Sequence, residues 1–292
     1  MATKRATTGK TAASRRTSGK GRGKTTRAKR TGRSRKSAKG NSRFSFYALL
    51  VTLSLATIAF FYFFFIRPYE YRWRPCFGEK AYGVCVPLGY QVHGIDISRH
   101  QGTVDWKLLK TATVGRFPIR FIFMKATEGG DFKDVEFDNN FANARNSGFL
   151  RGAYHFYNPE TSGAQQAQFF INTVSLEIGD LPPVLDVEKK PKNVDAFRRD
   201  LSIWLQMVEQ HYKVKPIIYS SKSFYKKYLD VPAFKNYPYW IAHYYVKNVD
   251  SNIHWNFWQY TDVGTLPGIK QNVDMDIFNG TWYQMLKMTL QQ

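Results

Sequence analysis

Two acids, Asp186 and Glu188, stand two residues apart in the run 181–188, Leu-Pro-Pro-Val-Leu-Asp-Val-Glu. Pro182 and Pro183 end whatever precedes them, and Val184, Leu185 and Val187 read as a short apolar strand. Side chains alternate along a strand, so both acids share one face, with Cα atoms roughly 6.5 to 7 Å apart. Two carboxylates on one face at the end of a buried strand repel, and one of them holds its proton more tightly. That is the requirement for a general acid working beside an ionised carboxylate. The alternative on the pair alone is a strand end that exposes two solvated acids.

The elements that must position this pair alternate from residue 91 onward. Strand patterns cover 92–98, 119–126, 150–157, 184–188, 216–220, 239–243, 257–260 and 273–278. Helical patterns cover 105–114, 135–147, 162–176, 194–212 and 222–229. After that the connections shorten and leave little room for helices. The reading is a modified (β/α)8-type barrel with few helices in its last third, with an open doubly wound sheet as the alternative. No Gly-x-Gly-x-x-Gly, P-loop, His-Glu-x-x-His or EF-hand loop occurs. Cys76 and Cys85 in C-x8-C spacing do not suit a structural zinc site, and acid catalysis by a carboxyl pair requires no metal or organic cofactor.

Active sites of such barrels lie at the C-terminal ends of the strands. Those ends carry Asp96, Glu128, His155, Asp186, Glu188, Asp274 and Asp276 among aromatic residues. Acids ringed by Tyr and Trp suit a sugar polymer, whose ring faces stack while its hydroxyls take hydrogen bonds. The candidate substrate surface is Tyr154, Tyr157, Tyr219, Trp240, His243 and Gln259. The alternative for the aromatics is plain core.

The formal charge of +21 is concentrated at one end: residues 1–43 hold sixteen of the 43 Lys and Arg and no acid. This stretch has no large apolar residue and is expected to be a disordered cytoplasmic tail. Contact with anionic lipid or nucleic acid is one reading of it, and a solvated topogenic tail is the other. Residues 44–66 carry no charge. As a helix they span about 34 Å, enough to cross a bilayer. The bulky exit Phe63-Phe64-Phe65-Ile66-Arg67 speaks against signal-peptide cleavage. The positive-inside rule then gives a single-pass protein with its N-terminus in the cytoplasm and its body on the outer, periplasmic or cell-wall side. Residues 67–90 form a juxtamembrane connector, and 91–292 the barrel. Cys76 and Cys85 fall in that connector, where thiols can be oxidised, and are a candidate disulfide; two free thiols are the alternative.

Several motifs in order resemble one family. Gly94-Ile95-Asp96-Ile97-Ser98, with Gln101-Gly102 and Asp105-Trp106, is similar to the opening of the family 25 glycoside hydrolases. Phe123-Met124-Lys125-Ala126-Thr127-Glu128-Gly129, Gly152-Ala153-Tyr154-His155-Phe156-Tyr157 and Leu185-Asp186-Val187-Glu188 resemble their second, third and fourth strands. Trp258-Gln259-Tyr260 and Val273-Asp274 resemble the last two. The resemblance covers about residues 92–286. It implies a lysozyme (N-acetylmuramidase) that cuts the β-1,4 bond between N-acetylmuramic acid and N-acetylglucosamine in peptidoglycan glycan strands; residues 44–66, not the resemblance, make it a membrane-anchored form. It implies Glu188 as general acid and Asp186 as the carboxylate that steers the acetamido group or stabilises positive charge. It places Asp96 and Asp274 as further acids of the site, and it implies participation by the sugar's 2-acetamido group. Asp276 stands where relatives often have Asn. The anchor and tail lie outside the family pattern. A catalytically inactive peptidoglycan-binding membrane protein on the same fold is the alternative, which loss of Asp186 or Glu188 would indicate; both are present.

Overall fold

The computed structural model describes residues 42–67 and 76–291. The described residues fall into two units that divide between Phe64 and Phe65. The expected basic tail lies outside the described residues except for its last two.

The first unit contains helix α1, Ser42–Phe61, which runs on as a π-turn over Tyr62–Ile66. Arg43–Ile66 has a mean hydropathy of 2.4, and none of its most apolar stretch is buried against other protein. Its threonines are compatible with an apolar surrounding because their hydroxyls are already bonded: Thr52 donates to the carbonyls of Ala48 and Leu49, and Thr57 to that of Leu53.

The first described strands of the second unit form a hairpin, within the stretch expected as a connector. Glu79–Ala81 pairs antiparallel with Val84–Val86. Tyr82 and Gly83 turn the chain with φ of 54° and 77°, the two positive angles of a tight hairpin turn. Cys76 and Cys85 are joined by a disulfide across this unit.

Eight strands then form the barrel. They are β1 Val92–Ile97, β2 Phe117–Glu128, β3 Leu150–Phe156, β4 Val184–Asp186, β5 Ile217–Ser221, β6 Tyr239–Ala242, β7 Phe257–Gly264 and β8 Val273–Phe278. Neighbours pair in sequence order from β1 to β8, and β8 pairs with β1 to close the ring. The first seven are mutually parallel; β8 runs antiparallel to both β7 and β1. The reversal follows from chain length. Residues 265–272 must connect β7 to β8, and a parallel crossover needs about a dozen residues or more.

Three helices cover the early strands: α2 Phe137–Asn146, α3 Gly163–Thr173 and α4 Val194–Tyr212. Ser162 and Asn193 cap α3 and α4 by accepting from the backbone N–H of Gln165 and Ala196. Helix α4 buries Phe197, Leu201, Trp204, Leu205 and Val208, one face at helical spacing. The helix expected over 105–114 is a single turn, Trp106–Leu109; Thr113–Val114 instead pairs with Phe117 and Pro118 through a turn at Gly115, whose φ is 55°.

Strands buried on both faces make two cores. Ile95, Ile122, Met124, Leu185, Ile218, Ile241, Met275 and Ile277 face the outer layer. Val92, Phe121, Phe123, Val184, Ile217, Trp240, Phe257 and Phe278 fill the barrel interior. Glycine is required at 94 and 152 for close approach: a Cβ there would lie 2.4 Å from the Phe121 ring and 2.5 Å from the Phe123 ring. Aromatic filling blocks the lower interior and leaves the upper mouth for polar side chains.

Candidate active site

Alternation along the strands decides which side chains enter the barrel mouth. Asp96 on β1, Lys125 on β2, Tyr154 and Phe156 on β3, and Asp186 on β4 share the inward face with Phe121, Phe123 and Val184 below them. Tyr219, Trp240 and Gln259 arrive from β5, β6 and β7. Because β8 is reversed, Asp274 reaches the same mouth from the start of its strand, directly across from Asp96 in the register. Strand β4 stops at Asp186; Val187 turns into the core and Glu188 is exposed just beyond it. Asp96, Asp186, Glu188 and Asp274 all line one cavity of about 370 Å³, together with Tyr154, Tyr219, Trp240 and Gln259.

One amide organises the wall between β1 and β7. Gln259 Nε2 donates to Asp96 Oδ2 at 2.6 Å. Its Oε1 accepts the hydroxyl of Tyr219 at 2.7 Å and that of Tyr244 at 2.6 Å. Below it, Trp240 Nε1 donates to Asp276 Oδ1 at 2.9 Å, and the Trp240 ring stacks on Phe123 with centroids 4.7 Å apart. On the opposite wall Lys125 Nζ reaches Glu128 Oε2 at 2.6 Å, and Lys189 Nζ reaches Glu128 Oε1 at 3.0 Å. Both ammonium groups lie over the Phe156 ring.

The electrostatics follow from crowding acids in a dry place. Burial drives the carboxyls of Asp96 and Asp186 well above the usual range, and neighbouring acids add to it: Asp274 and Asp276 for Asp96, Glu188 for Asp186. Lys125 opposes the rise at Asp186. Asp274 is pushed up to about 7 by burial, then by Asp262 and Glu188. The Glu188 side chain is exposed, but the protein crowding its carboxyl on the cavity side still raises it, and the neighbouring Tyr219 hydroxyl offsets part of this when it donates. The acids therefore share protons as a group, and some remain protonated near neutrality. Glu128 behaves oppositely: burial pushes it up, but the bonds from Lys125 and Lys189 outweigh this and hold it low. One further detail bears on substrate. Asp186 Oδ1 is buried and has no hydrogen-bond partner among the described residues, which leaves it an unpaired polar atom of the cavity wall.

Two of the expected substrate-surface residues do not line this cavity. Tyr157 lies past the end of β3, is 1% exposed and packs on Phe197 of α4 in the outer core. His243 lies past the end of β6; its carbonyl accepts from Trp258 Nε1 at 2.8 Å, and burial lowers its pKa. The next residue, Tyr244, enters the cavity instead. The pair reading also missed Ser98, His100, Gln101, Lys125 and Phe156, which complete the lining. Lys125 and Phe156 were available from strand alternation, being two residues from Phe123 and Tyr154. The position of Ser98 and Gln101 depends on a capping box after β1, in which Ser98 N donates to Gln101 Oε1 at 2.8 Å.

A closed barrel with an acid-lined, aromatic-walled mouth is an architecture suited to a sugar-polymer hydrolase. Comparison with known proteins agrees. Residues 95–269 match the family described as Glycosyl hydrolases family 25. The uncharacterized protein YegX of Escherichia coli O6:H1 is 40% identical over 82% of this chain and 92% of its own length. Lysozyme M1 of Streptomyces globisporus is 34% identical over 72% of this chain and 74% of its own. The structure of a family 25 glycosyl hydrolase from Bacillus anthracis superposes with a TM-score of 0.62 at 32% identity, covering 68% of this chain and 94% of that one. This chain belongs to glycosyl hydrolase family 25, and it is an enzyme, a glycoside hydrolase.

Proposed function

We propose that the protein is a membrane-anchored muramidase that cleaves the β-1,4 bond between N-acetylmuramic acid and N-acetylglucosamine in peptidoglycan. The observation that carries the reading is the pairing of Glu188 and Asp186 on one cavity wall in different surroundings. Lysozyme M1 and other family members bearing lysozyme and N,O-diacetylmuramidase names supply the substrate class. Presence of both acids favours hydrolysis over a binding-only role.

In this reading Glu188, exposed at the mouth and raised by its surroundings, protonates the glycosidic oxygen as the bond breaks. Asp186, buried and raised in the resting site, ionises as positive charge develops on the sugar, with Lys125 favouring its charged form, and it stabilises that charge. Its unpartnered Oδ1 accepts from the N–H of the substrate's 2-acetamido group, whose carbonyl oxygen then attacks the anomeric carbon. Glu188, now ionised, takes a proton from the water that opens the resulting intermediate. Asp96 and Asp274 complete the acidic wall. The chemistry calls for no metal or organic cofactor.

The anchor is residues 44–66, with the N-terminus cytoplasmic and the barrel on the outer face. Its support is the apolar helix and the sixteen basic residues in 1–43. Those residues contact anionic lipid at the inner surface, with nucleic acid as the other polyanion their charge suits. The test of the enzymatic reading is to incubate the full-length protein in detergent micelles with purified peptidoglycan and identify the sugar at each new reducing end.

A further inference from the structure

A second cavity, of about 630 Å³, lies between the disulfide hairpin and strand β7. Gln259 points into the barrel, so the next residue, Tyr260, faces outward into this second space. The two cavities are neighbours. Gln101 lines the catalytic one and donates Nε2 to the carbonyl of Asn272 at 3.0 Å; Asn272 lines the other. Tyr244 and Tyr245, consecutive in the chain, likewise divide between them.

We propose that this cavity is an accessory subsite that holds the acidic peptide borne by a peptidoglycan strand while the glycan occupies the catalytic cavity. The proposal rests on the muramidase reading and adds to it a second part of the same substrate. Three observations carry it. Among the described residues, the charged ones lining the cavity are Lys80 and Lys247, none of the lining is acidic, and neither lysine is in an ion pair. Tyr260 is 3% exposed, and its hydroxyl has no hydrogen-bond partner among the described residues. A buried hydroxyl without a partner is unfavourable unless a ligand supplies one. The walls are also amphipathic, with Phe77, Tyr82 and Val263 beside Thr261 and Asn272, which suits a peptide better than a simple anion.

The site is built before any ligand arrives. The Tyr82 hydroxyl donates to the carbonyl of Thr113 at 2.8 Å and accepts from its N–H at 2.7 Å. The Tyr82 carbonyl accepts from Thr265 N at 3.0 Å, tying the hairpin to the end of β7. With the Cys76–Cys85 bond, these contacts fix the hairpin, so binding does not have to order it. Residues 76–86 also precede the matched span of 95–269, so the family match does not assign the hairpin a role.

The test uses the full-length protein in micelles and two substrates: glycan strands carrying their peptides, and the same strands after enzymatic removal of the peptides. The variants are Lys80→Glu with Lys247→Glu, and Tyr260→Phe. Wild type should show the lower KM on peptide-bearing strands. The double variant should raise that KM about tenfold and leave kcat and KM on peptide-free strands unchanged. Tyr260→Phe should keep or raise Tm, since it deletes an unpartnered buried hydroxyl, and still weaken the preference for peptide-bearing strands. Equal wild-type KM on both substrates, or variants that change both substrates together or neither, would overturn the subsite. Wild type that cuts neither strand overturns the muramidase reading itself, a distinguishable failure.

Discussion

The side-chain amide of Gln259 donates to Asp96 across the closing seam of the barrel, Nε2 to Oδ2 at 2.6 Å. That bond fixes which end of the amide faces the tyrosines. Oε1 takes the hydroxyl protons of Tyr219 and Tyr244, and each phenol has one proton to give. When Glu188 is ionised, the Tyr219 hydroxyl beside it can turn to that carboxylate instead, which lowers Glu188.

Tyr219→Phe removes that donor, so the basic limb of the kcat/KM profile should shift to higher pH, because Glu188 keeps its proton longer. A shift to lower pH would mean that Tyr219 keeps its proton on Gln259 and only accepts from a protonated Glu188.

Asp186→Asn keeps the size and one acceptor but removes the charge. If Asp186 stabilises positive charge on the sugar, kcat should fall roughly 10²-fold, about 3 kcal/mol, with a smaller change in KM. The basic limb should also move down to the extent that Asp186 is ionised beside Glu188, since the two titrate as a coupled pair. Steady-state kinetics from pH 4 to 8 give both readings; an unchanged kcat with a raised KM assigns Asp186 to ground-state binding instead.

The crowded acids make stability depend on pH. Asp274 is raised to about 7, against 3.8 without the fold. A raised carboxyl binds its proton more tightly folded than unfolded, so its contribution is full below about pH 4 and is lost as pH climbs through 7. Asp274→Asn lacks that loss. Thermal denaturation at pH 4, 6 and 8 should show the variant gaining on wild type progressively; a difference independent of pH would remove Asp274 from the titrating group.

How much of this was legible in the sequence depends on periodicity. Where a residue sat inside a strand, alternation placed it correctly: Tyr154, Asp186, Tyr219, Trp240 and Gln259 all face the cavity. Tyr157 and His243 stand three residues after Tyr154 and Trp240, so alternation puts them on the opposite face, and both turn out of the cavity. The reversal of β8 is a different case. Its inward residues Asp274, Asp276 and Phe278 alternate identically in either direction, so the pattern is silent, and only the short connection over 265–272 contains the answer. The Gln259 network was not legible, because it joins residues of β1, β5 and β7 that meet only when the ring closes.

The proposed orientation places a reporter fused near residue 40 and one fused after residue 292 on opposite sides of the membrane. An alkaline phosphatase fusion at the C-terminal end should be active, and a cytoplasmic reporter there should not. A C-terminus found in the cytoplasm would contradict both the topology and access to the wall.

The most direct test of the account is the identity of the new reducing ends released from peptidoglycan by wild type and by Glu188→Gln, read after borohydride reduction. The amide is nearly isosteric with the acid but cannot donate the catalytic proton, so its rate should fall by about 10²- to 10⁴-fold with the fold intact. Wild type should yield reduced N-acetylmuramic acid, and Glu188→Gln almost none. Reduced N-acetylglucosamine as the product, or a variant that keeps more than about a tenth of wild-type turnover, would contradict the assignment.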